Sequence, residues 1–578
     1  LSISNEYIAA TLEQLADLLE FQGTNPFRLR AYRNAARTIR ELGESVAKLV
    51  AEGRDLTELE GVGRAVAEKC EQLIQTGRLR QLDELLDEIP VTVLDMLRVP
   101  KLGPKKAAVI FHEMGIDNLE DLKSAAEQGQ LRELSGFGVK TELAILEGIE
   151  IAAAANQRMR WAEADEIVHQ LRDHLKSCEA IKQLDFAGSY RRRRETVGDL
   201  DLLVDSDDAT AVMDHFQNFP GINENIGRGS TKMSVRLDNG FQIDLRVVPT
   251  ESFGTALQYF TGSKEHNVVI RSMAKKRKLK INEWGVYRVD ADHDEYIAGT
   301  SEADVYAALD LPVYPPELRE NRGEFEFATE QQLPQLIELS QIRGDLHMHT
   351  QASDGTASIA KMAEAARQRG LAYIAITDHS KRVTMANGLD ERRLRAQWAE
   401  IDQINDASQD DIWIFKGVEC DILEDGTLDI RDDVLAEADW VTASIHYGQN
   451  QSSAEITTRI INAIEHPSVH SISHPTGRLI NKRHPYAVDL NAVFDAALAN
   501  DKMLELNASP LRLDLNDLHC AQAAEMGIRI VINTDAHRPQ GLNAMRYGIN
   551  QARRAGLTAQ QVANTGTLQQ FRRLIGAD

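Results

Sequence analysis

Along the first 155 residues apolar side chains recur every three or four positions, and glycine-containing breaks interrupt the runs. Residues 5–155 are therefore predicted to form successive helices. The pattern changes near Ile181. Short alternating runs such as LDLLVD, TKMSVRL and FQIDLRVV predict strands set among helices, as in a mixed α+β domain. Pro312, Pro315 and Pro316, followed by the polar stretch ELRENRGEFEFATEQQ, predict a linker ending near Gln341. Beyond it, strand-sized apolar pieces (YIAITD, WIFKGVE, WVTASIH, SVHSISH, MLELNAS, IRIVINTD) alternate with helical stretches. That βα rhythm predicts a barrel-like fold with its chemistry at the strand ends.

Composition narrows this picture. A chain of 578 residues is too long for one hydrophobic core and implies about three or four domains. With 43% hydrophobic and 27% charged residues, wholesale disorder is excluded. No window approaches the roughly 18 uninterrupted apolar residues of a membrane span, and LSISNEYIAATLEQL lacks a signal-peptide pattern. The expectation is a cytoplasmic, nucleoid-associated protein with no membrane partner. Cys70, Cys178, Cys420 and Cys520 are isolated from one another, so any metal must be held by histidine and carboxylate. The net charge of -24 runs against nucleic-acid binding. Local basic clusters run the other way: arginines 191–194, Lys105-Lys106, and Lys275-Lys276-Arg277-Lys278 with Lys280.

Three segments of the helical region share a Gly-x-Gly or Gly-Pro turn entering a helix: Gly61-Val62-Gly63, Gly103-Pro104-Lys105 and Gly136-Phe137-Gly138. Glycine allows the backbone to approach closely, and the helix N-terminus presents unpaired N–H groups, a setting for a phosphate. The segments resemble helix-hairpin-helix DNA-backbone binders, which read no sequence.

In the α+β region, Asp199 and Asp201 lie two apart on a predicted strand, so both carboxylates leave the same face. Such a pair suits two divalent ions in a phosphoryl displacement, with Asp244 as a third ligand from a neighbouring strand. Gly188-Ser189 forms a small phosphate-holding turn with Arg192 as charge clamp. With Gly198 completing GS…GDxD, this stretch resembles the nucleotidyltransferase motif of the family X DNA polymerases. A second anchor is Tyr259-Phe260-Thr261-Gly262-Ser263, similar to that family's YFTGS segment. The resemblance implies that Tyr259 and Phe260 crowd the sugar 2′ position, that Gly262 belongs to the nucleotide site, that Asn267 touches the base edge and that Arg271 lies against the template. It also places Lys69 where a Schiff-base lysine falls in eukaryotic relatives, although Ala65 stands where those relatives carry a phosphate-holding lysine.

Ten of the 16 histidines lie in residues 341–578, most at predicted strand ends. The pattern HxH…D, DH, E, H, H, DxH resembles the PHP (polymerase and histidinol phosphatase) domain. Carried over, the ligands are His347, His349, Asp354, His379, Glu419, His446, His474, Asp535 and His537. A donor set of nitrogen and oxygen suits Zn²⁺, Mn²⁺ or Fe²⁺, up to three ions. Arg478, Lys482, Arg483 and Arg538 are candidates to guide a phosphate backbone.

The reading is a multidomain chain. Helix-hairpin-helix regions at 1–82 (lyase-like) and 83–155 (fingers-type) precede a palm at 156–248 and a thumb at 249–318; a linker at 319–340 leads to a (β/α)7-type PHP barrel at 341–578. The implied function is a monomeric, gap-filling DNA repair polymerase. It would use Mg²⁺ or Mn²⁺ in the palm, take deoxynucleoside triphosphates and gapped or nicked DNA, and carry a metal-dependent 3′-5′ exonuclease. A fused small-molecule phosphatase and a weakly catalytic DNA-end scaffold are the alternatives.

Overall fold

A computed structural model describes residues 5–577, apart from 42–45, 60, 91, 98, 100–101, 157, 290–293, 408–411 and 482. The chain divides into two compact units. One holds residues 1–159, 166–192 and 196–332; the other holds 333–578 with the short pieces 160–165 and 193–195.

The first unit opens with the expected helices, among them Asn5–Phe21, Pro26–Glu41, Arg64–Thr76, Pro104–Met114 and Val139–Asn156. Their apolar faces merge into one cluster running from Ile8 to Ile149, so no separate core begins at residue 83. Gly61 and Gly136 have φ of +77° and +81°, the left-handed region that glycine enters freely. Gly63 and Gly103 cap the helices that follow with bare backbone.

The palm is a five-stranded sheet in the order Gln183–Phe186, Asp199–Asp205, Gln242–Val248, Lys232–Leu237, Ile222–Arg228. Only the Asp199–Asp205 and Gln242–Val248 pair is parallel. The edge strand Ile222–Arg228 is largely exposed on both faces, which is why its residues carry no apolar alternation. Helices Thr250–Thr261 and Lys264–Lys276 follow, then a three-stranded antiparallel sheet and helix Glu302–Ala307.

The expected linker is corrected at its start. Arg319 is fully buried, donating from Nε to the Tyr314 carbonyl (2.8 Å) and pairing with Glu302, which also binds Arg191 (2.8 Å). Glu324 is buried against His266 Nδ1 at 2.8 Å, and Phe325 stacks on the same ring at 4.9 Å. A buried ion pair and a buried carboxylate–imidazole contact outweigh the polar look of this sequence, because charged residues disappear from the surface only with partners.

In the second unit seven parallel strands run in chain order: Gly344–Asp345, Tyr373–Ile376, Trp413–Asp421, Trp440–Ser444, Ser471–Ile472, Met503–Asn507 and Ile530–Asn533. Six of them lie in the apolar pieces recognised in the sequence, and Gly344–Asp345 leads into the His347-Met348-His349 segment. The first and last segments meet, with the His349 N–H donating to the Ala536 carbonyl at 2.9 Å, so the sheet is a nearly closed barrel. Alternation along the strands separates two cores: Ile374, Ile376, Leu504 and Ile532 join one cluster, and Tyr373, Ala375, Met503 and Val531 the other. Among the described residues no helix is long and apolar enough to cross a membrane.

Candidate active sites

The palm carboxylates come together as the strand pattern implies. Asp201 stands directly opposite Asp244 in the parallel pair, with Asp199 two residues earlier on the same face. Burial, then the neighbouring Asp199 and Asp244 charges, push Asp201 up to about 7; burial and Asp244 also raise Asp199. Burial alone would raise Asp244 as well, but hydrogen bonds from Ser234, Gln242 and Lys232 hold it below the usual carboxylate range. Lys232 Nζ lies 3.2 Å from Asp244. Three carboxylates on one face, two of them raised by burial and by their neighbours' charge, form a donor set for hard divalent cations.

Gly188 lies against this cluster at φ +62°, where a Cβ would fall 2.3 Å from Asp201 Oδ2. Only glycine fits. Gly188→Ala is expected to displace Asp201 and lower nucleotide incorporation by about a hundredfold, as small shifts of reacting groups do; primer extension reads the loss. Ser189 follows in the same turn, half-buried, and Gly198 packs against the Arg158 guanidinium.

Two expectations change here. Arg192 pairs with Glu320 at 3.0 Å and donates to the Thr261 carbonyl at 2.7 Å, so its charge is engaged inside the fold rather than offered as a phosphate clamp. Asn267 turns inward, its Nδ2 donating to the carbonyls of Tyr259 (2.6 Å) and Gly262 (3.2 Å), and so pins the YFTGS turn rather than presenting its amide. Tyr259 and Phe260 are half-buried, with Arg246 over the Phe260 ring at 4.3 Å. Arg271 is exposed and lines an open groove with Lys275, Lys278 and Lys280.

On the helical region Gly63, Gly103 and Gly138 are exposed, with open space where a Cβ would stand, and Lys105 is exposed beside them. Lys106 lies over the Phe137 ring at 5.6 Å, which brings the second and third glycine turns together. Lys69 is half-buried on helix Arg64–Thr76, directly after Glu68 of an exposed Arg64–Glu68 pair.

In the barrel all nine residues gather at the C-terminal ends of the strands. Ligand atoms of His349, Asp354, His379 and His537 lie within 4.8 Å of one another, as do those of His347, His349 and Asp535, and those of His379, Glu419 and His446. His474 joins through Glu419, 3.0 Å from its Nε2. Burial would discharge these imidazoles, yet Glu505, Asp535 and Glu419 hold His347 well above its ordinary value, and Glu419 and Asp354 lift His379 to about 10. His349, buried beside His379 and His537, falls to about 4. The charged imidazoles hold Glu419 and Asp535 well down in spite of burial.

Among the described residues, His347 Nε2, His349 Nδ1 and His474 Nδ1 are buried without a hydrogen-bond partner, and His379 Nδ1 and Glu419 Oε2 stand 2.7 Å apart without hydrogen-bond alignment. Buried polar atoms are nearly always satisfied, so these converging donors fit metal ions. His474 and Asp535 both sit at positive φ (29° and 54°), strain of the kind retained at functional sites.

Several carboxylates that orient these ligands escaped the sequence reading. Glu505 accepts from His347 Nδ1 at 2.8 Å and from Asn507 Nδ2 at 2.8 Å. Asp421 accepts from His446 Nδ1 at 3.1 Å. Asp378 fixes the loop after His349 through the Thr350 N–H (2.7 Å) and hydroxyl (2.6 Å). The available signal was an acid on or beside a ligand-bearing strand, as in ThrAspHis and GluCysAsp, but an isolated strand acid such as Glu505 carries no spacing to mark it. Glu505→Gln is expected to weaken metal retention by about 10- to 100-fold, since outer carboxylates set imidazole orientation; metal content after dialysis checks this.

A palm-and-thumb nucleotidyltransferase joined to a histidine-rich phosphoesterase barrel is the class that these two sites define. Family models agree: helix-hairpin-helix domains match residues 3–79 and 93–150, a DNA polymerase beta palm 158–228, a DNA polymerase beta thumb 256–320 and a PHP domain 345–509. The DNA polymerase/3′-5′ exonuclease PolX of Bacillus subtilis (strain 168) is 40% identical over 563 residues, covering 97% of both chains. DNA polymerase lambda of Rattus norvegicus is 27% identical over 342 residues, 55% of this chain and 56% of the relative. A probable phosphatase of Thermoanaerobacter sp. (strain X514) is 31% identical over 233 residues, 38% of this chain and 89% of the relative. The chain belongs to the bacterial family X DNA polymerases with a C-terminal PHP domain.

Proposed function

We propose that this protein is a gap-filling DNA repair polymerase whose PHP barrel trims DNA 3′ ends, and that the two activities use separate metal sites. The observation carrying this reading is that both donor sets are intact in one chain: three carboxylates on adjacent palm strands, and nine histidine and acidic residues at one end of the barrel. Asp199, Asp201 and Asp244 would hold Mg²⁺ or Mn²⁺, and the nine barrel residues would hold up to three Mn²⁺, Zn²⁺ or Fe²⁺. Bound ions supply charge stabilisation for the displaced and attacking oxygens of a phosphoryl group.

The chain's own residues do the positioning. The Gly188-Ser189 turn offers backbone N–H and a hydroxyl to the triphosphate. Asn267 holds the YFTGS turn so that Tyr259 and Phe260 stand beside the sugar. Exposed glycine turns at 61–63, 103 and 136–138 receive DNA phosphates. Arg271, Lys275, Lys278 and Lys280 attract the template backbone. In the barrel, Glu505, Asp421 and Asp378 hold ligands and loop in register.

The test is incorporation on gapped DNA together with shortening of a labelled 3′ end by the full-length protein. Hydrolysis of a sugar phosphate in preference to the DNA end would favour the phosphatase reading instead. Lyase chemistry is expected to be weak or absent, because Ala65 removes a phosphate-holding lysine beside Lys69. Borohydride trapping on a nicked abasic substrate should give little covalent product; efficient capture lost in Lys69→Ala would reverse that expectation.

A further inference from the structure

We propose that Glu324, His266 and Tyr306 form a buried relay that sets the sugar selectivity of the palm, as positioning residues acting through Gln258 and Asn267 on the Tyr259-Phe260 turn. The inference rests on the reading that this turn stands beside the nucleotide sugar. His266 Nδ1 donates to Glu324 Oε1 at 2.8 Å, and the Tyr306 hydroxyl meets His266 Nε2 at 3.1 Å. Gln258 is a further hydrogen-bond partner of the Tyr306 oxygen, and its Nε2 donates to Asn267 Oδ1 at 3.2 Å. Asn267 Nδ2 in turn donates to the Tyr259 and Gly262 carbonyls.

The direction of every bond in this chain is fixed. A carboxylate only accepts, so Nδ1 carries the imidazole proton. Burial holds His266 below its ordinary value even against Glu324, with Arg319 and Arg192 acting the same way as burial, so the ring is neutral and Nε2 accepts from the Tyr306 hydroxyl. The phenol oxygen is left to accept from Gln258 Nε2, whose other proton goes to Asn267. Among the described residues Gln258 Oε1 is buried with no hydrogen-bond partner, as this assignment requires. The Asn267 amide therefore has one orientation, oxygen toward Gln258 and nitrogen toward the turn.

Packing alone does not call for these polar atoms. His266 is fully buried, stacked on Phe325 at 4.9 Å and edge-on to Tyr314 at 6.1 Å, a place that an apolar ring would fill without desolvation cost. Glu324 is 1% exposed and also accepts from the backbone N–H groups of Asn321 (2.8 Å) and Arg322 (2.7 Å). A satisfied buried network adds little stability over apolar packing; what it supplies is a single arrangement. That arrangement bears on Gly262, where a Cβ would fall 2.7 Å from Asn267 Oδ1 and 2.8 Å from His266 Cδ2, so both side chains abut the turn. A turn free to shift would crowd the sugar 2′ position less.

The experiment compares full-length parent, Tyr306→Phe, His266→Phe, Glu324→Gln and Asp201→Asn on gapped DNA, each checked for fold by thermal melting. kcat and KM are read separately for one deoxynucleoside triphosphate and its ribonucleotide counterpart. Tyr306→Phe removes one oxygen, His266→Phe keeps a ring between Phe325 and Tyr314, and Glu324→Gln leaves one acceptor oxygen for three donors. Each is expected to lower the deoxy-over-ribo ratio of kcat/KM about tenfold, the contribution of one hydrogen bond. The change should fall in the KM values, with kcat for the deoxynucleotide within threefold of the parent and 3′-end trimming unchanged. A ratio within twofold of the parent in any of the three that folds would overturn the proposal. So would an equal loss of kcat/KM for both sugars, which marks a merely structural network. If His266→Phe or Glu324→Gln does not fold, Tyr306→Phe decides by the same criteria. Undiminished incorporation by Asp201→Asn would instead bring down the palm assignment, leaving the two failures distinguishable.

Discussion

Asp201→Asn is expected to lower nucleotide incorporation by about a thousandfold or more, because it removes one of the charges on which the palm ions depend. The fold should persist. Asp201 is held near 7 by burial and by the charges of Asp199 and Asp244, so its ionised form is unfavourable in the native state. The sign of the pH effect follows. A carboxyl whose folded pKa lies above its unfolded value reduces stability progressively as pH rises from about 4 to about 7, and the penalty is complete above that. Without metal, Asp201→Asn should therefore melt no lower than the parent at pH 8, and higher if the amide is accommodated, with the two converging near pH 4. Incorporation within tenfold of the parent would contradict the palm assignment, and a collapsed melting temperature would mean that the loss of activity came from the fold.

His347→Ala, or His379→Ala, is expected to reduce 3′-end trimming by a comparable factor, about a thousandfold, and to reduce metal retention while primer extension continues. His347 is fully buried, bonded through Nδ1 to Glu505 at 2.8 Å, and its Nε2 is one of the unpartnered donors of the cluster. Mn²⁺ should support trimming better than Mg²⁺, since imidazole-rich sites suit transition ions and Mg²⁺ prefers oxygen and water. Trimming that is unchanged in both variants would place the nuclease elsewhere.

The barrel was legible because its signal is redundant. Each of YIAITD, WIFKGVE, WVTASIH, SVHSISH and IRIVINTD is a buried strand that carries or leads to a ligand, so composition and position reinforce each other. The palm strands Asp199–Asp205 and Gln242–Val248 were legible for the same reason, and the Asp201–Asp244 register confirms the pairing. Strand Ile222–Arg228 was not, because an edge strand exposed on both faces needs no apolar alternation. Residues 319–327 misled in the opposite direction: their charges look solvated, but Arg319, Glu320 and Glu324 each answer a buried partner distant in sequence. Such pairing has no local signature. The same holds for Arg192 and Asn267, whose residue types suit ligand contact while the fold engages them internally, and for Glu505, a single residue whose role appears only once the strands bring His347 beside it.

The most direct test of two separable activities follows one 5′-labelled primer on gapped DNA with Mn²⁺ and deoxynucleoside triphosphates, in four full-length proteins: parent, Asp201→Asn, His347→Ala and the double variant. Lengthening should disappear only where Asp201 is replaced, shortening only where His347 is replaced, and the double variant should leave the primer unchanged. A single substitution that abolishes both, or a double variant that still shortens the primer, would contradict the assignment of the two chemistries to the two metal sites.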